Sequence, residues 1–412
     1  MDLGTIIVYT VTYFSLFTAS MFMLTLLEQK DSLKTKKPTR FPTITVAIPA
    51  YNEENTLKGT VESLLNLNYP KEKIKIYIVN DGSSDNTLKI ANSFKSKGVV
   101  VIDKPNSGKA DSLNQVLKVC DTELFAVLDA DSFAHKDSVR RMIGHLEDEH
   151  IMAVTPSMLV DKPTTFLLRV QYIEYLVGVF LRKVFAFLGA IHVTPGPLSI
   201  YKLEFFKKYG GYALNNITED IEVALRIQSK GYDIENAHDA IVTTTAPTKL
   251  KALTTQRVRW YSGFMQNTWN YKHLFSPKYG NLGLFILPAS FFSVVLVIAA
   301  MLYTVVTFIT KSVIQRYLNL KSIDFQFWKM FELNFDIFYI NLNAVALLSM
   351  VTLITGITIV MIAKNMAQIK KSIAYSYICF FLAYWLLFGY WWIHAGVNLL
   401  MKQKQSWGAK KF

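Results

Sequence analysis

The residues best suited to chemistry are acids placed at the ends of apolar runs. In "VLDADS", Val127–Ser132, Asp129 and Asp131 flank Ala130. On an extended backbone, side chains two apart share a side, so both carboxylates can face one hard cation with oxygen ligands, Mg²⁺ or Mn²⁺. In "VNDGSSDNT", Val79–Thr87, Asp81 and Gly82 form a polar turn. A carboxylate there can accept the imide N–H of a uracil, and a simple turn accounts for it equally. "NITEDIEVALRIQSKGY", Asn216–Tyr232, reads as a helix. Thr218 caps it, Glu219 and Asp220 fill its first turn, Ile221, Ala224 and Leu225 form its apolar face, and Gly231 stops it. Acids in that turn also offset the helix dipole.

Other stretches frame these acids. "IPAYNEE", Ile48–Glu54, closes a strand and opens a helix, with Asn52 as the cap and acids in the first turn. "NSGKADSLN", Asn106–Asn114, follows a further strand; Gly108 permits close backbone approach and Lys109 offers a point charge to a diphosphate. Its glycines and lysine lack Walker A spacing, which argues against a P-loop. "TTQRVRWYSG", Thr254–Gly263, packs Gln256, Arg257, Arg259, Trp260 and Tyr261 just before the chain turns strongly apolar. A helix of this period suits a membrane interface, with Arg257 and Tyr261 toward lipid or scaffold.

The elements that must position these residues follow a βαβ rhythm. Between Phe41 and about Thr243, short β-rich runs ("TITVAIPA", "IKIYIVND", "VVVIDK", "LFAVLDAD", "IMAVTP") alternate with polar or helical stretches. This is an α/β pattern on a mostly parallel sheet, whose chemistry belongs at the carboxyl ends of the strands. With 51% hydrophobic residues and a mean hydropathy of +0.24, the chain is too apolar for an ordinary soluble enzyme. Leu3–Leu27 is uncharged and long enough to cross a bilayer. It lacks the cationic start and cleavage site of a secretory signal, so an uncleaved anchor is expected over residues 1–28. Lys30, Lys34, Lys36, Lys37 and Arg40 then place the following domain in the cytosol.

Further spans are expected near Leu282–Thr310, Phe335–Ala363 and Ile373–Met401, within a carboxy-terminal membrane region of residues 280–402. An even count of spans puts the C-terminus outside, whereas Lys402, Lys404, Lys410 and Lys411 favour the inside. One span is then re-entrant, split or interfacial. Pro163–Leu188 is apolar but broken by Arg169, Glu174, Arg182 and Lys183, and reads as an amphipathic helix on the membrane face. Cys120 and Cys379 have no metal-ligand spacing and read as reduced, buried thiols. The net charge of +13 would suit nucleic acid, but the basic residues flank membrane segments and no nucleic-acid motif is present.

"IPAYNEE", "NDGSSDNT", "NSGKADSLN", "DAD" with "TED", and "QRVRW", in this order over about Phe41–Asn270, resemble glycosyltransferase family 2. The resemblance is to its membrane-embedded, processive branch, which includes hyaluronan, chitin, cellulose and poly-N-acetylglucosamine synthases. It implies a GT-A, Rossmann-like glycosyltransferase domain over residues 41–275, with interfacial helices near 163–188 and 252–273, joined to transmembrane helices in a multi-pass protein of the cell membrane.

It also implies roles. Tyr51, Glu53 and Asp81 cradle the uridine of a UDP-sugar, Lys109 and Asp129 flank ribose and diphosphate, and Asp131, with Asp129, takes Mg²⁺ or Mn²⁺. Asp220 is the base that deprotonates the acceptor hydroxyl, giving inversion in one displacement. Gly196, in "TPGPLSIY", and Glu219 lie on the acceptor side, although a Gly-Pro turn explains Gly196 as well. Gln256 and Arg259 reach the phosphates and Trp260 is a platform for the acceptor sugar.

The departure from the family pattern is Asn80, where two successive aspartates are common. The implied activity is a UDP-sugar-dependent hexosyltransfer, with N-acetylglucosamine the leading donor sugar, extending a β-linked polysaccharide or modifying a lipid-linked acceptor. Four spans are few for a private polymer channel. A small membrane subunit or a second copy of the chain would complete one.

Overall fold

The computed structural model describes residues 3–314, 317, 318, 321, 344–401, 406, 407, 410 and 411. Phe335–Asn343 of the expected third span, and Lys402 and Lys404, lie outside the described residues. In chain order the elements begin with α1 (Leu3–Glu28), β1 (Ile44–Ala50), α2 (Leu57–Leu65), β2 (Ile74–Asp81), α3 (Thr87–Ser93), β3 (Val100–Lys104) and α4 (Lys109–Val119). Then come β4 (Leu124–Val127), β5 (Ser132–Ala134), α5 (Ser138–Ile143), β6 (Ile151–Val160), α6 (Phe166–Phe187), β7 (Ser199–Lys202), α7 (Leu203–Tyr209), α8 (Glu219–Ser229) and β8 (Asp233–Thr244). The remainder is α9 (Leu250–Asn270), α10 (Leu287–Thr307), α11 (Ala344–Met366), α12 (Ala374–Leu400) and the short pair β9 (Ser406–Trp407) and β10 (Lys410–Lys411).

β1 is buried along its whole length because both of its faces are covered. Ile44, Val46, Ile48 and Ala50 point to one core with Leu57, Val61 and Leu64 of α2, while Ala47 points to the other with Ala110 and Leu113 of α4. That alternation is the two-residue period of a strand, and it makes an α/β/α sandwich. The main sheet runs β3-β2-β1-β4-β7-β6-β8-β5. Its first four strands are parallel, with Ile44 opposite Ile74 and Leu124. β7 then enters antiparallel between β4 and β6, and β5 pairs antiparallel with β8, so the sheet is mixed. Both cysteines are free and buried.

Among the described residues, four helices are long and apolar enough to cross a membrane: Gly4–Glu28, Leu282–Thr310, Ala346–Met366 and Ala374–Leu400. α6 and α9 form the seam between these helices and the sheet. Ile173, Leu176, Val179 and Phe180 of α6 share a core with Leu26, Val360 and Ala363, and Leu253 and Val258 of α9 pack on Trp391 and Ala395. The charges that break the apolar run of α6 serve protein contacts or the interior cavity described below. Lys183 pairs with Glu235 at 3.0 Å, and the Arg169 guanidinium lies 4.8 Å from the Tyr375 ring centre.

Glu174 meets Arg257, so of the two expected surroundings, lipid or scaffold, Arg257 turns to the scaffold. Arg257 is completely buried and donates from Nε and Nη2 to the two Glu174 oxygens at 3.1 and 2.7 Å. The fork also lies 4.2 Å from the Trp260 ring centre. An uncharged surface would not require such a pair, but a buried guanidinium does. Removing one member strands the other, at a cost of about 3–5 kcal/mol. Glu174→Gln should therefore lower the melting temperature of the detergent-solubilised protein sharply, and Glu174→Leu combined with Arg257→Met should recover most of it. Wild-type melting of the single variant would show that the pair carries no such weight.

Candidate active site

The carboxyl ends of β1 and β4, the start of α8 and one face of α9 open on a common cavity of about 820 Å³. It is lined by Tyr51, Glu53, Lys109, Asp129, Asp131, Gly196, Glu219, Asp220, Gln256, Arg259 and Trp260, which is every residue singled out for the site except Asp81. β4 ends at Val127, so Asp129 and Asp131 sit in the loop before β5 rather than on an extended strand. Their common environment comes from that loop, where Ser132 Oγ donates to Asp131 at 2.9 Å and the Thr245 N–H holds the Asp131 carbonyl at 3.0 Å.

Lys109 Nζ lies 2.7 Å from Asp129 and 2.8 Å from Glu219. Burial alone would lower its pKa, but the two carboxylates outweigh burial and keep the ammonium charged. Its charge is thus shared between two acids. Gly196 earns its place by crowding: a Cβ there would fall 2.3 Å from Asp129 Oδ2 and 2.6 Å from Lys109 Nζ. The space that a Cβ would take at Gly196 is thus occupied by this ion pair.

Asp81 has a different setting from the one expected. It is wholly buried, and its carboxylate accepts from Lys104 Nζ and from the Ser107 and Gly108 N–H groups at 2.9 Å. A carboxylate so engaged shapes the turn that leads into Lys109 and does not reach the cavity. Gly82 is needed beside it, with φ +70° and a would-be Cβ 2.6 Å from the Asn106 nitrogen. Asn52 is also corrected. It has φ 55° and accepts from the Ser84 N–H, while α2 starts five residues later with Thr56 at its N-cap.

α8 begins where expected, but Thr218 makes no side-chain cap bond; its hydroxyl accepts from Asn267 Nδ2 at 3.0 Å instead. This contact ties α8 to α9. The Asp220 carbonyl accepts from Thr194 Oγ1 at 2.9 Å, which ties α8 to the Gly196 loop as well. Burial pushes the Asp220 carboxyl up to about 7, and the nearby Glu219 charge adds to it against Lys109 and Arg259. For Glu219, burial acts upward too, but Lys109 outweighs it and holds the carboxyl below its ordinary value. Burial, reinforced by Asp129, raises Asp131 to about 6, and burial raises Glu53 to about 7.

Among the described residues no group of three or more His, Cys, Asp or Glu side chains is arranged to hold a metal ion. Asp129 and Asp131 nonetheless fit one that takes few protein ligands. Two crowded, partly desolvated carboxylates suit Mg²⁺ or Mn²⁺ when phosphate oxygens and water complete the shell. Beyond the acids, the cavity wall is a relay of rings drawn from α1, α6, the loop after α6, α9 and α12. Phe22 meets Phe185 (5.7 Å between ring centres), Phe185 meets His192 (5.5 Å), His192 meets Phe264 (6.0 Å), Phe264 meets Trp392 (5.9 Å), and Trp392 stacks on Tyr261 (4.4 Å). Sequence reading missed Glu174, Arg182, His192 and this wall. The only signal was the set of charges inside an apolar run.

A family model described as glycosyl transferase family 2 matches residues 45–210. The chain carries a glycosyl transferase family 2 domain. Over 225 residues it is 33% identical to the poly-β-1,6-N-acetyl-D-glucosamine synthases of Staphylococcus aureus (strain MSSA476) and Staphylococcus epidermidis, covering 53% of this chain and 54% of each relative. The chain thus spans about half the length of the curated relatives it matches. The structure also resembles a mannosyltransferase from Pyrobaculum calidifontis solved in complex with GDP-Man and Mn²⁺, with a TM-score of 0.61 and 18% identity over 98% of this chain and 100% of that one. At that identity the likeness is one of fold, and it gives the transferase domain a GT-A sheet joined to apolar helices.

The raised Asp220 carboxyl has a stability consequence. Its folded-state pKa of about 7 exceeds that of the unfolded chain, roughly 4. The folded state therefore holds a proton that the unfolded state has lost, and stability falls as pH rises through this window. Asp220→Asn should melt higher than wild type at pH 8, with the gap closing below about pH 5. Equal melting at pH 8 would mean that the carboxylate carries no desolvation burden.

Proposed function

We propose that this protein transfers a hexose, N-acetylglucosamine, from a UDP-sugar to an acceptor hydroxyl at the cytosolic face of the cell membrane, with inversion, extending a β-linked polysaccharide. The observation that carries this reading is the position of Asp220, which shares one cavity with Asp129 and Asp131 and has a carboxyl near 7. A base poised near neutrality can accept the hydroxyl proton as the oxygen attacks the anomeric carbon. One base is enough for a single displacement, unlike the paired carboxylates of a glycosidase. The choice of sugar and of a polymeric product rests on the names of the staphylococcal relatives.

In this mechanism Tyr51 and Glu53 border the nucleoside end, and Lys109 fixes the separation of Asp129 from Glu219. Arg259 supplies positive charge next to Asp220 and Glu219, where the leaving diphosphate develops its own charge. Asp129 and Asp131 would hold Mg²⁺ or Mn²⁺, and a divalent cation there supplies further neutralisation of the leaving group. Trp260, stiffened by the Arg257 guanidinium, offers an aromatic face to the acceptor sugar. Lys30, Lys34, Lys36, Lys37 and Arg40, just after α1, favour the cytosolic side for this chemistry.

A second reading, single transfer to a lipid-linked acceptor, is favoured by one observation: the cavity continues between α1, α10 and α12, along Phe22, Val294 and Phe388. Membranes containing the full chain, incubated with labelled UDP-sugars, should incorporate label best from UDP-N-acetylglucosamine and yield a ladder of products. Chelation should stop incorporation, and added Mg²⁺ or Mn²⁺ should restore it. Asp220→Asn should lower transfer by roughly 10²- to 10⁴-fold, with UDP-sugar binding retained. Products that stop at one added sugar would exclude the polymer reading, and full transfer by Asp220→Asn would exclude the base.

A further inference from the structure

Arg257 bonds through all three of its side-chain nitrogens: Nε and Nη2 to the two Glu174 oxygens, and Nη1 to Gln256 Oε1. A guanidinium has donors only, so the Gln256 atom that meets it must be the carbonyl oxygen. The amide is thereby held one way round. Its Nε2 has no hydrogen-bond partner among the described residues, and Gln256 lines the cavity with Arg259 and Trp260. Positions i, i+3 and i+4 share one face of a helix, so these three side chains of α9 act on the same space.

Glu174 sets the aim of that amide. Two parallel bonds to a carboxylate fix both the plane of the guanidinium and its rotation within the plane. Nη1 is then left with a single direction, and Gln256 Oε1 lies along it. Tyr384, on α12, adds a 3.4 Å bond to Glu174 from the side of the apolar helices. What Gln256 leaves for the cavity is a pair of N–H donors without an acceptor, on the same face as the Arg259 cation. Neutral donors beside a cation suit a ligand rich in acceptor oxygens and negative charge, which is the chemistry of a diphosphate.

We propose that Glu174 is a positioning residue for the leaving group: through Arg257 it holds the Gln256 amide with its N–H donors toward the diphosphate of the nucleotide. That the ligand is a diphosphate rests on the transferase reading above; the hold on the amide does not. The preference of the full-length, detergent-solubilised protein for UDP over uridine, titrated with Mg²⁺ present, provides the test. Glu174→Leu combined with Arg257→Met removes the hold without changing net charge, and most of the wild-type melting temperature should be kept. This variant should lose at least about tenfold of the UDP preference, the effect of one hydrogen bond to a charged group, while uridine binds as before. Gln256→Met leaves the ion pair in place; it should lose about as much, and it covers the case in which the double variant does not fold. All three replacements together should cost little more than either set, because both remove the same contact.

If the pair were only structural, binding would return along with melting, so a stable double variant with the wild-type preference would overturn the proposal. So would Gln256→Met with the wild-type preference, since the amide would then make no contact with the ligand. A wild type that binds UDP no more tightly than uridine would overturn it together with the transferase reading on which it rests. These failures are distinct: the first two leave the diphosphate in the cavity, and the third removes it.

Discussion

Crowding of negative charge is the constraint around which this site is built. Glu53, Asp129, Asp131, Glu219 and Asp220 all face one cavity, and bringing them together out of bulk water is unfavourable. Lys109 makes the arrangement possible by lying between Asp129 and Glu219. It joins the loop after β4 to the first turn of α8, so a contact that offsets repulsion also sets geometry. The turn organised by Asp81 and Gly108 delivers Lys109 to that position. Acids farther from the ammonium's hydrogen bonds, Asp220 and Asp131, keep raised carboxyls. The same cluster therefore contains one acid held ionised and others ready to exchange protons near neutrality.

A second ion pair governs how this site meets the apolar helices. Arg257 and Glu174 close the seam between α9 and α6, and Tyr384 on α12 donates to Glu174 at 3.4 Å. Arg257 also braces Trp260, while Tyr261, the next residue, stacks on Trp392. Within little more than one turn of α9, Trp260, Arg257 and Tyr261 thus face three different surroundings: the cavity, a buried ion pair and an apolar helix. A basic, aromatic segment at this junction is a coupling element, and its charges are spent inside the protein.

The strand rhythm was readable because burial on both faces leaves continuous apolar runs such as "TITVAIPA" and "IKIYIVND", and the four apolar helices were readable from length and composition. Strand order was not, since the antiparallel insertion of β7 between β4 and β6 depends on contacts between segments far apart in the chain. The grouping of most site residues in one cavity follows from their common place at strand ends. Individual settings were harder to foresee. Asp81 looks like a ligand in isolation, but Lys104, 23 residues away, withdraws it. Arg257 looks interfacial until Glu174, 83 residues before it, is placed beside it. Local pattern reports residue type and periodicity; it does not report which distant group neutralises a charge.

The ring relay along the cavity has a consequence for how the protein is made. Phe22 lies on α1 and Trp392 on α12, the first and last apolar helices among the described residues, with Phe185 and Phe264 between them. A sheet without these helices would lack the Phe22 and Trp392 sides of the cavity wall. The cavity is complete only when the helix that carries Trp392 has docked against α9. A chain still lacking that helix would therefore lack one side of the cavity.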